Sequence, residues 1–243
     1  MGTKVDLYEG YAAATALSDT EVSHLLAWGG QYFEHLIRPH FGTRSKDLRI
    51  LEIGCGNGRF VKYLEDQGYT NAEGIDISQD QITFAREKFA LTSVSVQDTL
   101  PYLRRKKKKY DVIYLMDVVE HLELEYLVEL GRCIHEKLAP GGRLIMQAPN
   151  GLAPLSPNRF SDVTHLRAYT SYSFTQLQKM FGFEKVHNYE LPPFVHGLKS
   201  RVRRTAWSLL LKPAIKLYML LANGDTMDSI YTANILSVGV KGK

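Results

Sequence analysis

Three glycines at alternate positions, Gly54, Gly56 and Gly58, stand in the segment Arg49-Ile-Leu-Glu-Ile-Gly-Cys-Gly-Asn-Gly-Arg-Phe, where an apolar run ends. Without a Cβ, such residues let the backbone turn sharply and approach a ligand closely. A tight strand-to-helix turn asks for glycine on conformational grounds alone, so the turn needs a chemical partner before it reads as a site. Asp76 supplies one. It closes the next apolar run, in Glu73-Gly-Ile-Asp-Ile-Ser, at the separation where a carboxylate meets both hydroxyls of an adenosine ribose. Its competing role is to cap the following helix, which Ser78 suits better. The third run ends in Val96-Gln97-Asp98, placing polar side chains where an adenine ring would lie, and the fourth ends in Met116-Asp117. For Asp98 and Asp117, helix capping is the alternative.

A second polar group follows the fifth run. Asn158-Arg-Phe-Ser-Asp-Val-Thr-His-Leu-Arg-Ala-Tyr-Thr is dense in groups that hydrogen-bond or titrate, among them Asp162, His165 and Arg167. His121, in Val119-Glu-His-Leu, is a rival histidine whose alternative role is structural, at the start of a helix. Hard cations accept carboxylates such as Asp117 and Asp162 alongside His165, but no ligand triplet stands at a diagnostic spacing, so no metal is expected. Cys55 and Cys133 are the only cysteines, far apart and without a CxxC, which speaks against a disulfide framework or structural zinc.

The elements that must carry these residues follow from hydrophobic periodicity. Ser18 and Glu21 form a capping box before Val22, Leu25, Leu26, Trp28, Phe33, Leu36 and Ile37, which recur at roughly helical spacing until Pro39. Leu48 to Ile53, Ala72 to Ile77, Ser93 to Gln97, Asp111 to Met116 and Gly142 to Ala148 read as strands with helices between them. Near-continuous apolar strands with helical crossovers require a parallel sheet covered on both faces, so the fold class is doubly wound α/β. A loop from Pro149 to Thr170 comes next, then a helix from about Ser171 to Met180 and strands at Glu184 to Glu190 and Ala233 to Val240. One domain over residues 1–243 is expected: a helical segment at 1–47, a ligand-binding core at 48–150, and an acceptor loop, helical insertion and final strands at 151–243.

With 44% apolar residues and a formal charge of +4, composition does not mark a nucleic-acid binder. The run Arg104 to Lys109 reads as a solvated crossover, because neighbours on a helix point in different directions and no aromatics are interleaved. Residues 1–11 lack a leader or a myristoylation pattern, so a cytoplasmic location is expected. The insertion at 194–222 joins Lys199, Arg201, Arg203 and Arg204 to a leucine-rich stretch that Lys212, Pro213 and Lys216 interrupt. It falls short of the ~20 uninterrupted apolar residues of a membrane span. Packing on the sheet, homodimerisation and peripheral contact with an anionic membrane on its inner face all suit it.

Leu51-Glu-Ile-Gly-Cys-Gly-Asn-Gly, Gly74-Ile-Asp-Ile-Ser, Asp117-Val-Val-Glu-His-Leu and Leu138-Ala-Pro-Gly-Gly-Arg-Leu together resemble the signature segments of class I S-adenosylmethionine-dependent methyltransferases over roughly Arg49 to Asn150. The resemblance implies a Rossmann-like, doubly wound seven-stranded sheet with its last strand antiparallel, and S-adenosyl-L-methionine as cofactor. Glu52 and the loop Gly54, Cys55, Gly56, Asn57 and Gly58 would lie near the methionine part. Asp76 would hold the ribose with Ile77 beside it, and Gln97, Asp98, Met116 and Asp117 would complete the site. Nicotinamide enzymes share the architecture, but in their G-x-G-x-x-G fingerprint the third glycine comes one residue later.

The segment D-x-T-H-x-R at 162–167, followed by Tyr169-Thr170, a helix and Phe181-Gly-Phe, is similar to small bacterial methyltransferases of polysaccharide and sugar modification. This second resemblance implies an O-methyltransferase acting on a sugar or glycan hydroxyl, with His165 as general base; Asp162 or a neighbouring carbonyl is then expected to orient that histidine, and Arg167 to hold the loop or the acceptor. A histidine that merely pins the loop is the alternative for His165. The N-P-P-Y or D-P-P-Y segment of DNA amino-methyltransferases is replaced by Asp117-Val-Val-Glu, so no nucleic-acid acceptor is expected. A phenolic small molecule, or a non-catalytic module that binds an adenosyl ligand, are the competing functions.

Overall fold

A computed structural model of the protein describes residues 19–242, with side chains from Leu26 onward. Seven strands form one sheet: β1 Ile50–Ile53, β2 Ala72–Asp76, β3 Val94–Val96, β4 Tyr110–Met116, β5 Leu138–Pro149, β6 Lys185–Glu190 and β7 Asn234–Val240. Their order is β3-β2-β1-β4-β5-β7-β6. Strands β1 to β5 run parallel, and β7 lies antiparallel between β5 and β6. This is the Rossmann-like sheet that the sequence implied.

The central strands are apolar along their length because helices cover both of their faces. Every residue of β1 is buried. Successive side chains of a strand point to opposite faces, and the core divides accordingly. On one face Leu51, Ile53, Ile113 and Leu115 pack with helices α5 (Leu124–Lys137) and α7 (Ser171–Phe181), through Leu127, Ile134, Phe174 and Phe181. On the other, Ile50, Val112, Tyr114 and Ile145 meet Phe33, Ile37, Phe41 and Phe60.

Helix α1, Asp19–Tyr32, does not end at Pro39 as periodicity suggested; the chain continues as a π turn over Phe33–Ile37 and a 3-10 turn over Arg38–Phe41. Trp28 is exposed and stacks on Tyr32. The capping box expected at Ser18, and the leader reading of residues 1–11, lie outside the described residues. Helices α2 (Arg59–Asp66), α3 (Gln79–Phe89) and α4 (Thr99–Arg105) are the crossovers of the first half, and Ser78 caps α3 by accepting from Gln81 N. The basic run disperses at the end of α4. Arg104 pairs with Glu129, Arg105 donates to Gln97, Lys106 pairs with Glu73, and Lys109 donates to the Glu136 carbonyl.

The loop after β5 contains one short turn, α6, at Pro157–Phe160. Between β6 and β7 the insertion forms α8 (Leu198–Ala206), a π turn (Trp207–Leu211) and α9 (Lys212–Asn223).

Candidate active site

The carboxyl ends of β1, β2 and β4 meet at the reversal of strand order, where open α/β sheets bind ligands. Gly54, Gly56 and Gly58 all have positive φ, between 51° and 74°, in the left-handed region that favours glycine. A Cβ on Gly54 would strike Val118 at 2.5 Å, whereas one on Gly56 would meet only Gln81 at 3.9 Å, so this middle glycine faces open space. Asp76 fastens the turn. Its carboxylate accepts from the backbone N–H of Gly56 and of Ser78, each at 2.8 Å. Burial pushes its pKa up, against the pull of those backbone bonds.

Beneath the turn, Glu52 is buried and accepts from the Tyr114 hydroxyl at 2.9 Å. Burial raises its pKa to about 8, with Tyr114 and the Arg59 charge opposing. Cys55 is buried, its thiol pushed up chiefly by burial, while the Asn57 side chain accepts from Arg59 N at 3.3 Å. Ile77 is half-buried beside Asp76, and Met116 is buried at the end of β4. Gln97 is held by Arg105 at 2.9 Å, and Asp98 is exposed at the start of α4, near the Tyr126 hydroxyl.

Asp117 does not cap a helix. It sits at φ 55°, an exposed residue whose carboxylate is nevertheless desolvated by the protein around it, and Gln147 Nε2 donates to both its oxygens at 2.9 and 3.0 Å. Tyr32 in turn donates to Gln147 Oε1 at 2.6 Å. Burial raises the Asp117 pKa, with Gln147, Arg59 and His165 opposing. Tyr32, Arg59 and Gln147 were not singled out from the sequence. Gln147 carried one signal, a polar residue inside the apolar fifth strand. Arg59 stands immediately after the third glycine.

The donor set fits the cofactor that the motifs implied. Acceptors at Asp76 suit ribose hydroxyls, Glu52 and Asp117 suit cationic groups, and the Arg59 charge felt at both carboxylates suits an anionic one.

Beyond Asp117, the acceptor loop docks on the turn Val119–His121 through main-chain groups. Leu166 N donates to Glu120 O at 2.9 Å, Arg167 to Leu122 O, and the Tyr169 hydroxyl to Val119 O at 3.0 Å. Docking brings His165 against His121, with ring centroids 4.7 Å apart. His165 Nδ1 meets the Asn158 carbonyl at 2.8 Å. Asp162 accepts from the Thr164 hydroxyl at 2.6 Å, and Thr164 meets His121 Nδ1 at 2.8 Å, so this carboxylate is linked through Thr164 to His121. Arg159 braces the loop by donating to the His165 and Leu166 carbonyls.

Glu120, which the sequence reading passed over, lies fully buried between these groups, and neither of its oxygens accepts a hydrogen bond. His165 Nε2 lies 3.8 Å from its carboxyl, beyond hydrogen-bond distance. Burial, and then the charges of Asp117 and Asp162, raise its pKa to about 9, while burial lowers that of His121. Glu120, His121 and His165 offer ligand atoms within 4.8 Å of one another, a set that divalent transition ions accept. No spacing rule could have found it, because the third member is 44 residues beyond the second.

Residues 26–188 match the methyltransferase domain family model. The chain belongs to this family. Among curated relatives, the ubiquinone biosynthesis O-methyltransferase of a Chelativorans strain is 31% identical over 129 residues, 49% of this chain and 49% of its own length. Phosphoethanolamine N-methyltransferase 1 of Arabidopsis thaliana is 28% identical over 145 residues, 57% of this chain and 29% of its own. The methyltransferase thus spans half or less of the length of these two relatives. Its fold is shared with a SAM-dependent methyltransferase from Archaeoglobus fulgidus (TM-score 0.64, 22% identity, covering 89% and 94% of the two chains). It is also shared with Haemonchus contortus phosphoethanolamine N-methyltransferase 2 in complex with S-adenosyl-L-methionine (TM-score 0.58, 17% identity, covering 88% and 52%).

Proposed function

We propose that this S-adenosylmethionine-dependent methyltransferase acts on a hydroxyl of a sugar or glycan, with His165 as the general base. The observation that carries this reading is the hold on His165. A carbonyl can only accept, so the Asn158 carbonyl fixes the ring proton on Nδ1 and leaves the Nε2 lone pair to take a proton. The bound cofactor supplies an electrophilic methyl group on a sulfonium. Transfer is an in-line displacement, in which alignment supplies much of the acceleration. A sugar hydroxyl is a poor nucleophile until its proton leaves, and His165 takes that proton. Arg159, Arg167 and Thr164 position the loop that carries it.

Leu155, Phe160 and Val163 stand exposed on the same loop, which favours an acceptor with an apolar part. A lipid-linked sugar has one. So does a prenylated phenol, the second reading, which the names of the ubiquinone biosynthesis relatives favour.

The test offers a labelled methyl donor with soluble glycans, lipid-linked sugars and prenylated phenols in parallel. Label in a sugar fraction supports the proposal; label only in phenols replaces it. His165→Ala should keep cofactor affinity and thermal midpoint while turnover drops about 100-fold to 10,000-fold. Near-normal turnover would move the base to His121. Loss of wild-type turnover with a chelator, restored by Mn2+, would give the ionising role to a cation held by Glu120, His121 and His165.

A further inference from the structure

The insertion between β6 and β7 turns its leucines away from the protein. Residues Ala206, Trp207, Leu211 and Lys212 at its junctions are all right-handed helical, so α8, the π turn and α9 form one continuous helix, about 40 Å long at 1.5 Å per residue. In its second half, Lys212, Ile215 and Met219 are half-buried toward the body, and Lys212 pairs with Glu190 at 2.6 Å. Leu210, Leu217 and Leu221 fall on the opposite side and are 67%, 56% and 78% exposed. A water-facing helix normally shows the reverse arrangement. Along α8, π turn and α9 only Ser200 is buried, so packing on the sheet, one of the roles expected for this segment, does not cover the apolar face.

Charge selects the occupant. From Leu191 to Gly224 the chain has no acidic residue, while Lys199, Arg201, Arg203, Arg204, Lys212 and Lys216 are basic. Arg201 and Arg203 are exposed beside Leu198 and Val202. Among the described residues no helix is long and apolar enough to cross a membrane. We infer that this helix is a docking surface for anionic phospholipid, lying in the headgroup region with its leucines inward and its arginines on lipid phosphates. The inference is independent of which acceptor is methylated.

Vesicles containing phosphatidylglycerol should carry the protein down on sedimentation, vesicles of phosphatidylcholine alone should not, and rising salt should release it. Arg201→Gln with Arg203→Gln should weaken binding about 30-fold, from about 1 kcal/mol per charge. Leu210→Gln with Leu217→Gln and Leu221→Gln should abolish it, while cofactor affinity and thermal midpoint stay unchanged. Failure to sediment with anionic vesicles at low salt would overturn the inference. So would a wild-type dimer, seen by sedimentation velocity, that the leucine variant dissociates, because the face would then belong to a second copy.

Discussion

Glu120 is where burial and charge oppose each other most directly. A carboxylate with no exposed surface and no hydrogen-bond donor is costly to ionise, so the native protein keeps its proton to about pH 9. The unfolded chain gives that proton up near 4.5. Between those limits the native state binds the extra proton, and stability falls as pH rises, by up to about 1.4 kcal/mol per unit from this one group. Replacing Glu120 with Gln removes that slope without leaving a hole. Urea unfolding of wild type and Glu120→Gln at pH 5.5, 7 and 8.5 should show the variant gaining on wild type at each step. Parallel curves would mean that Glu120 ionises freely or is neutralised by a partner.

At the scale of elements, close approach decides which side chains can meet. Helices α5 and α7 pack so tightly that a Cβ on Gly131 would lie 2.1 Å from the Phe181 ring. Gly131→Ala should therefore destabilise the protein by about 1–3 kcal/mol, as overpacked cores do. Phe181→Leu in the same chain should recover part of the loss, because the two changes share one space. Chemical unfolding of the two single variants and the double variant measures the coupling, and strictly additive effects would contradict the contact. Cofactor affinity should not change, since this contact lies away from the glycine turn.

On the scale of the molecule, strands β1, β2 and β4 bring three carboxylates to one edge: Glu52, Asp76 and Asp117. All three are shifted upward, mainly by burial, Glu52 to about 8. A cation placed among them favours their ionised forms, so Glu52, which holds its proton up to about pH 8, gives it up on binding. Calorimetry at pH 7 in buffers of different ionisation enthalpy should show proton release with S-adenosylmethionine. S-adenosylhomocysteine, which lacks the sulfonium charge, should release fewer. Equal release by the two ligands would place the sulfonium away from these carboxylates.

Alternation of apolar runs with helical crossovers was enough to read the parallel strands and the glycine turn, because both are local: burial on two faces makes a strand apolar throughout, and a positive φ calls for glycine. The acidic end of β2 was legible for the same reason. Strand ends and helix ends were less so, as at α1, where π and 3-10 turns carry the chain past Tyr32. What the sequence could not decide are pairings made only by strand order and loop docking. Tyr32 reaches Gln147 across 115 residues, and Glu120 and His121 acquire His165 only because Leu166 and Tyr169 tie the loop to their turn. The insertion divides the same way. Composition alone marked it as apolar and basic, but which side its leucines face depends on where Lys212, Ile215 and Met219 find the body of the protein, and tertiary contact alone settles that.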